Sequence, residues 1–289
     1  MNFLRRLFQG SGPAKVDIEK RFRLQNPVGQ GTMSKVWKAT DTKTGQTVAL
    51  KILDKEKTKR LEQRFVGLNR PREGVIAISL HHPHVVQTYD HGITTKDEQF
   101  LVMEFIEGVG LSSLVDLQGE RMTANCLRWC IQLGEALDYV HSQQWIHRDL
   151  CPRNIIITMS NQLKLIDFGL MVPNTPPFRK PGNRTGTAMY MAPELVRRLP
   201  TDQRIDVFSY AVTCYQMFTK QFPWPAADTM EAVMQHVNMP PKEILLLKPD
   251  MNPQVAKAIM RGLEKEPADR WQSVKEMVEA LRAAAVVRK

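Results

Sequence analysis

An aspartate and an asparagine stand five residues apart in His147-Arg148-Asp149-Leu150-Cys151-Pro152-Arg153-Asn154, in a loop just before a β-prone run, 154–158. A second β-prone run, 163–166, leads into Asp167-Phe168-Gly169. Asn154 and Asp167 carry oxygen atoms of the kind Mg²⁺ prefers, and that ion commonly completes its shell with substrate phosphates. Asp149 is a further carboxylate, able to accept a proton from a hydroxyl. Ordinary turns also hold such residues, but the spacing and the intervening strands favour a built site.

Upstream, Val28-Gly29-Gln30-Gly31-Thr32-Met33-Ser34-Lys35-Val36 is a glycine-rich turn between two β-prone runs. Glycine lets a backbone approach phosphates closely and present its N–H groups, although plain hairpins use the same residues. Val48-Ala49-Leu50-Lys51 reads as an alternating strand that ends at Lys51, 22 residues after Gly29 (51 − 29). A lysine at a strand end is usually solvated. One that faces a glycine-rich turn can instead hold phosphate oxygens as a point charge.

These groups need elements to position them. From Arg21 to about Phe105 the chain reads as strands with one helix. The stretch from Lys55 to Asn69 is charged and partly helical, and Pro71 interrupts it, which predicts a fresh helix with proline in its first turn. From Leu111 onward the pattern is helical. Leu127, Ile131, Leu133, Leu137 and Val140 repeat at helical spacing across 126–141, and further long helices are expected near 204–219 and 272–286. A sheet-rich first part and a helix-rich second part predict an α+β fold of two lobes, joined near Glu104–Gly108 with a cleft between them. Residues 1–19 are expected to form a tail.

The 289 residues suffice for one or two domains with a sizeable core. With 43% hydrophobic and 24% charged residues the composition is that of a soluble globular protein. No apolar run reaches the roughly 18 residues of a membrane span, and MNFLRRLFQG has no secretory h-region, so the expected location is cytoplasmic. Phe3, Leu4, Leu7 and Phe8 fall at helical spacing around Arg5 and Arg6. That pattern suits weak membrane contact through residues 1–9, a frayed tail, or a helix docked on its own domain. Cys126, Cys130, Cys151 and Cys214 have neither zinc-site nor disulfide-framework spacing and read as reduced thiols. The formal charge of +10 implies a solvated basic surface or attraction to nucleotide phosphates, acidic peptides or anionic lipid. No motif points to nucleic acid.

Over roughly residues 20–285 the chain resembles a eukaryotic-type (Hanks-type) serine/threonine protein kinase domain of the compact bacterial kind. The likeness rests on Gly29–Val36, on Val-Ala-Leu-Lys ending at Lys51, on the segment His147–Asn154, on Asp167-Phe168-Gly169 and on Ala192-Pro193-Glu194, all in the family's order. It implies the two-lobed protein kinase fold. A small β-rich N-lobe would span about 20–104, a hinge 105–110, and a larger α-helical C-lobe about 111–285. It also implies ATP as phosphoryl donor, Mg²⁺ with Mn²⁺ as an alternative, and a protein substrate. By this resemblance Asp149 orients the substrate hydroxyl and accepts its proton, and Asn154 and Asp167 hold the metal. Lys51 holds the α- and β-phosphates and pairs with a helix glutamate. That glutamate is Glu73, ten residues before Pro83 (83 − 73), with Glu62 as the alternative. Val28, Gly29, Gln30, Gly31, Thr32, Met33, Ser34, Lys35 and Val36 would cover the phosphates. Met103 would be the gatekeeper behind adenine, the backbones of Glu104 and Ile106 would meet the adenine edge, and Val36, Ala49 and Ile156 would sandwich the ring. Glu194 and Arg270 match an ion pair that anchors the activation segment, and Asp206 matches the brace of the catalytic loop. Thr187 matches a threonine of the serine/threonine class whose hydroxyl bonds the catalytic aspartate.

The chain departs from the family pattern at Ser34, where a third glycine is usual, and at Cys151, where most serine/threonine kinases carry a lysine that stabilises the transferring phosphate. Arg153, two residues further on, is the expected replacement. A pseudokinase acting as a nucleotide-binding scaffold is the alternative. A small-molecule phosphotransferase would share the loop and metal aspartate but lack the segment ending in Ala192-Pro193-Glu194. Phosphorylation of the activation segment is expected at Thr185 first and Thr175 second, near Arg148, Arg179, Lys180 and Arg184. Substrates neutral or acidic around the acceptor are expected, because Arg153 would repel arginine, and Arg179, Lys180, Arg184, Arg197 and Arg198 border the peptide platform.

Overall fold

The computed structural model describes residues 15–30 (backbone only for Gln30), 33–181, 185–225, 234 and 237–286. The expected membrane-contacting segment 1–9, Gly31, Thr32, Asn183 and Arg184 lie outside the described residues. The chain divides into two compact units. One comprises Met1–His81 and Val86–Ile106, the other His82–Val85 and Glu107–Lys289.

The first unit is built on an antiparallel sheet of order β1-β2-β3-β5-β4, from β1 (Phe22–Gln30), β2 (Ser34–Asp41), β3 (Thr47–Leu53), β4 (Thr88–Ile93) and β5 (Gln99–Glu104). Side chains alternate faces along each strand. Val48 and Leu50 of β3 therefore join Phe22, Ala39, Phe100 and Val102 in one buried cluster, while Ala49 and Lys51 point to the other face. Lys51 does not end its strand. Ile52 continues the pairing with Lys35 and Phe100, so the lysine sits in the sheet interior and is buried.

The expected tail is partly docked. Val16 bridges Thr94, and the short helix α1 (Ile18–Arg21) starts from Asp17, whose carboxylate accepts the Glu19 and Lys20 N–H groups. Helix α2 (Lys55–Gln63) is capped by Asp54, which accepts from Lys57 N at 2.9 Å. Helix α3 (Glu73–Ile78) begins two residues after Pro71 instead of taking the proline into its first turn, and extended Arg72 is its N-cap. Its start is placed by packing. A Cβ on Gly74 would lie 2.6 Å from His91 Cβ, so only glycine lets this turn rest on β4.

The second unit is mainly helical. After β6 (Gly108–Gly110) come α4 (Leu111–Leu117) and α5 (Glu120–Ser142), then β7 (Trp145–Ile146), β8 (Ile155–Thr158), β9 (Leu163–Leu165) and β10 (Val172–Pro173). The strands form two small sheets, β6-β8-β9 and β10-β7. Then follow α6 (Pro176–Arg179), α7 (Pro193–Val196), α8 (Arg204–Thr219), α9 (Ile244–Leu247), α10 (Pro253–Gly262) and α11 (Val274–Val286). Helix α5 buries Leu133, Leu137 and Val140 of the expected stripe, but Leu127 and Ile131 are only half-buried, and Met122, Cys126, Trp129 and Cys130 fill the buried face instead. Helix α8 is buried along most of its length, with Arg204, Gln216 and Phe218 half-buried, as befits a central helix. Leu137→Ala would cost about 2–5 kcal/mol through the cavity it leaves. Among the described residues no helix is long and apolar enough to cross a membrane.

Candidate active site

In the second unit, the loop between β7 and β8 gathers the residues singled out for chemistry. Asp149 Oδ1 accepts hydrogen bonds from Thr187 N at 2.7 Å and Thr187 Oγ1 at 2.8 Å. Asn154 Nδ2 donates to the Asp149 carbonyl at 2.8 Å and to Asp149 Oδ2 at 3.1 Å, which turns its amide oxygen to the other side. Strand register then brings in Asp167. Ile155 pairs with Leu165, and Ile166 N donates to the Asn154 carbonyl at 3.0 Å, so Asn154 and Asp167 leave adjacent strands side by side. The Asp167 carboxylate also accepts from Gly169 N at 3.0 Å, which shapes the turn after it. Phe168 is buried, edge-on to His147 with ring centroids 6.4 Å apart.

The loop is held from beneath by Asp206 of α8. Its carboxylate accepts from His147 N at 2.7 Å, Arg148 N at 2.8 Å and His141 Nε2 at 2.9 Å. Burial alone would raise this carboxyl, but the bond and charge of His141 and the bond from Arg148 bring it below the ordinary value. Arg148 is held at φ 71°, in the left-handed region that non-glycine residues rarely occupy, and the bonds to Asp206 fix it there. Burial lowers the pKa of His147, and a neutral ring suits its Nδ1 to accept from Asp149 N at 3.3 Å.

The segment after Asp167 returns to this loop through Gly186. At φ 124° a Cβ there would sit 2.5 Å from the Arg148 carbonyl oxygen, so glycine permits the approach that seats Thr187 on Asp149. The same segment is anchored by Glu194 and Arg270, joined by two parallel bonds of 2.7 Å. Arg153 is exposed and donates through Nη2 to Thr187 Oγ1 at 3.1 Å. Cys151 is buried, and burial, with the Asp149 charge, raises its pKa, so it stays a neutral thiol.

In the first unit, Lys51 Nζ meets Glu73 Oε1 at 2.6 Å, with both side chains buried. Glu62, the alternative partner, instead accepts from Gln99 Nε2 at 2.7 Å. Gly29 lies opposite Val36, Val36 opposite Lys51, and Ala49 opposite Met103. Cross-strand partners and second neighbours share a face, so Val36, Ala49, Lys51 and Met103 line one surface of the sheet. The Glu104 amide donates to the Gln87 carbonyl at 2.9 Å. Ile106 and, in the second unit, Ile156 are half-buried.

This geometry coincides with a family match: a model described as the protein kinase domain covers residues 22–281. The chain belongs to the protein kinase domain family. It is 31% identical over 279 residues to serine/threonine-protein kinase PknA of Mycobacterium tuberculosis, covering 95% of this chain and 63% of that protein. It is 32% identical over 272 residues to probable serine/threonine-protein kinase PknB of Corynebacterium glutamicum, covering 90% and 41%. A probable serine/threonine-protein kinase of Clostridium acetobutylicum is 29% identical over 268 residues, covering 91% and 40%. The chain thus spans between 40% and 63% of the length of these relatives.

Within this kinase domain the structure bears on two expectations about the activation segment. Thr185, the first-choice phosphorylation site, is buried, and its hydroxyl finds no partner among the described residues, whereas Thr175 is exposed. Gly186 must approach the catalytic loop closely, and this draws Thr185 inside. Second, the basic residues are not a free cluster. Arg179 is bound to the side chain and carbonyl of Asn174, and Arg197 to the Val237 carbonyl and Glu266. Lys180 and Arg198 are exposed. The spacing of Cys151 from Asp149 did not show that the cysteine is buried, with its sulfur 3.8 Å from the hydroxyl of the distant Thr187.

Proposed function

We propose that the chain transfers the γ-phosphoryl group of ATP to serine and threonine hydroxyls of protein substrates. The observation that carries this is the cluster at Asp149, whose carboxylate is fixed by both the amide and the hydroxyl of Thr187 and by Asn154. Asp149 accepts the proton of the acceptor hydroxyl while its oxygen bonds to the γ-phosphorus. The bond from that phosphorus to the β-phosphate oxygen breaks, and ADP leaves. Asn154 and Asp167 fit a hard divalent cation, Mg²⁺ or Mn²⁺. Two protein oxygen groups are too few to fill its shell, so phosphate oxygens belong in it. Such an ion, when bound, neutralises charge on the phosphates. Lys51, oriented by Glu73, holds the α- and β-phosphates. The backbone of Val28–Val36 covers them, and Val36, Ala49, Met103, Glu104, Ile106 and Ile156 receive the adenine. Arg153 supplies the positive charge that a lysine at position 151 would bring and disfavours arginine beside the acceptor, so substrates are neutral or acidic there.

The test is transfer of label from γ-labelled ATP and Mg²⁺ to a protein substrate, followed by hydrolysis to phosphoamino acids. Phosphoserine and phosphothreonine are expected. Label confined to phosphotyrosine, or none with folded enzyme, as a nucleotide-binding scaffold would give, overturns the assignment.

A further inference from the structure

In the first unit, strand register sets Lys51, Leu101 and His91 in one row. Lys51 pairs with Leu101 across β3 and β5, and Leu101 with His91 across β5 and β4. Cross-strand partners share a face, so His91 lies on the side of the sheet that carries Lys51. Helix α3 covers this row and meets both ends of it with consecutive residues. Glu73 bonds Lys51 at 2.6 Å. Gly74 is held against His91, where a Cβ would fall 2.6 Å from the histidine Cβ and Cγ and 2.9 Å from Nδ1. A helix of six residues with no side-chain cap at its start has little stability of its own, so packing places it. His91 is itself fixed. Its N–H donates to Asp90 Oδ1 at 2.8 Å, and Arg21 ties Asp90 to Asp41 with bonds of 2.6 and 2.9 Å. Burial lowers the His91 pKa, the Asp90 charge opposes this and Arg72 adds to it, so the ring is neutral at pH 7. Glu73 has a second cation within electrostatic reach, Arg70. Charge alone therefore does not choose Lys51 as its partner; the placement of α3 does.

We propose that His91 is a positioning residue for phosphoryl transfer: its ring carries the Gly74 turn of α3 and thereby sets Glu73 against Lys51. The inference rests on the phosphoryl-transfer assignment and adds to it a residue that acts on ATP only through that pair. Without the ring the turn loses its support and the Glu73 carboxylate is free to lean toward Arg70. The Lys51 ammonium, on its flexible stem, then meets the α- and β-phosphates less often in the productive place. A misplacement of about 1 Å, even one that starts away from the reacting atoms, costs up to about a hundred-fold in rate.

The test is kcat/KM for ATP at saturating peptide, with His91→Ala and His91→Asn each made in wild type and in Glu73→Gln. In wild type, His91→Ala should lower it roughly ten- to a hundred-fold, chiefly through the KM for ATP, with the KM for peptide unchanged. His91→Asn keeps the Cβ, the Cγ and a polar atom in place of Nδ1, and should stay within about two-fold of wild type, the scatter of uncoupled changes. In the Glu73→Gln background His91→Ala should cost no more than about two-fold, because residues that act through one contact do not add. A merely structural histidine would give the same fold-loss in both backgrounds. If His91→Ala does not fold, Gly74→Ala, which pushes the turn off the same ring, is read in its place with the same expected losses. Wild-type kcat/KM in His91→Ala, equal losses in the two backgrounds, or a His91→Asn enzyme as impaired as His91→Ala would overturn the positioning role and leave the kinase assignment standing. No transfer by the wild-type enzyme would overturn both.

Discussion

Each unit of the molecule buries an ion pair of two long side chains, Lys51 with Glu73 in the first and Arg270 with Glu194 in the second, and the two are built differently. In the first unit Lys51 offers a single nitrogen to Glu73 at 2.6 Å. In the second, Arg270 meets Glu194 through two nitrogens and also donates to the carbonyls of Glu264 at 2.6 Å, Lys265 at 2.7 Å and Arg204 at 3.2 Å, with its guanidinium 5.0 Å from the centroid of the Phe208 ring. A guanidinium whose donors are all used can only hold a fold together. An ammonium carries three donors on a flexible stem and can share them with an incoming oxygen. Buried charge therefore has two meanings here, and the head group, a rigid five-donor fork or a point charge on a flexible stem, tells them apart.

The largest expected effects set these pairs against each other. Arg270→Met strands the Glu194 carboxylate and three backbone carbonyls in the interior, and should cost about 3–5 kcal/mol or prevent folding. Lys51→Met should abolish phosphoryl transfer yet leave the protein folded and cost less stability than Arg270→Met, since methionine replaces the lysine stem and only the Glu73 carboxylate loses its partner. Calorimetry and a transfer assay on both variants check this. A stable Arg270→Met protein, or an unfolded Lys51→Met, would erase the difference.

The next effect concerns Asp206, which has a fixed set of donors like Arg270 but sits beneath the catalytic loop. Its pKa is lowered in the folded state, so the stability it contributes is fully present above the ordinary carboxylate value of about 3.9 and is lost as pH falls through the lowered value. Asp206→Asn should cost about 2–4 kcal/mol at pH 7 and less near pH 3, measured by denaturant titration at both. An equal loss at the two pH values would show that the carboxylate charge is not what holds His147 and Arg148.

A smaller effect is expected where a charge is exposed. Arg153→Ala should lower turnover roughly ten- to a thousand-fold, as for one lost charge-stabilising donor, with stability little changed. Cys151→Lys in that background should restore part of it, although the position is buried and the new stem must reach outward. Unchanged turnover in Arg153→Ala would show that the transferring phosphate is stabilised elsewhere. The smallest effect is expected in modification of the activation segment. Mass spectrometry of active enzyme should find phosphate on exposed Thr175 ahead of buried Thr185, and the reverse order would mean that the segment opens to be modified.

The sequence made legible what depends on short spans of chain. Asp149, Asn154 and Asp167 are spaced by one loop and one hairpin, and the β8–β9 register follows from two short apolar runs. Glu73 was legible from its distance to Pro83, although α3 proved to be only six residues long. What stayed hidden depends on distant neighbours. Lys51 looked like a strand end because its burial needs Ile52 to pair with Phe100, 48 residues away (100 − 52). His82–Val85 belongs with the second unit through the bridge of Val85 to Leu165 and the bond from His84 to the Leu163 carbonyl, which no local pattern announces. The burial of Thr185 goes with the close approach of Gly186 to the Arg148 carbonyl, 38 residues away (186 − 148).

The central claim is that Asp149 performs proton acceptance at a site fixed by Thr187 and Asn154. The most direct measurement is single-turnover transfer of labelled phosphoryl from pre-bound ATP to a peptide serine in wild type and Asp149→Asn, with ATP affinity measured on the same samples. Retained ATP binding with transfer reduced by at least about a hundred-fold, the lower range for a lost general base, is the predicted result. Transfer in Asp149→Asn at the wild-type rate would contradict it.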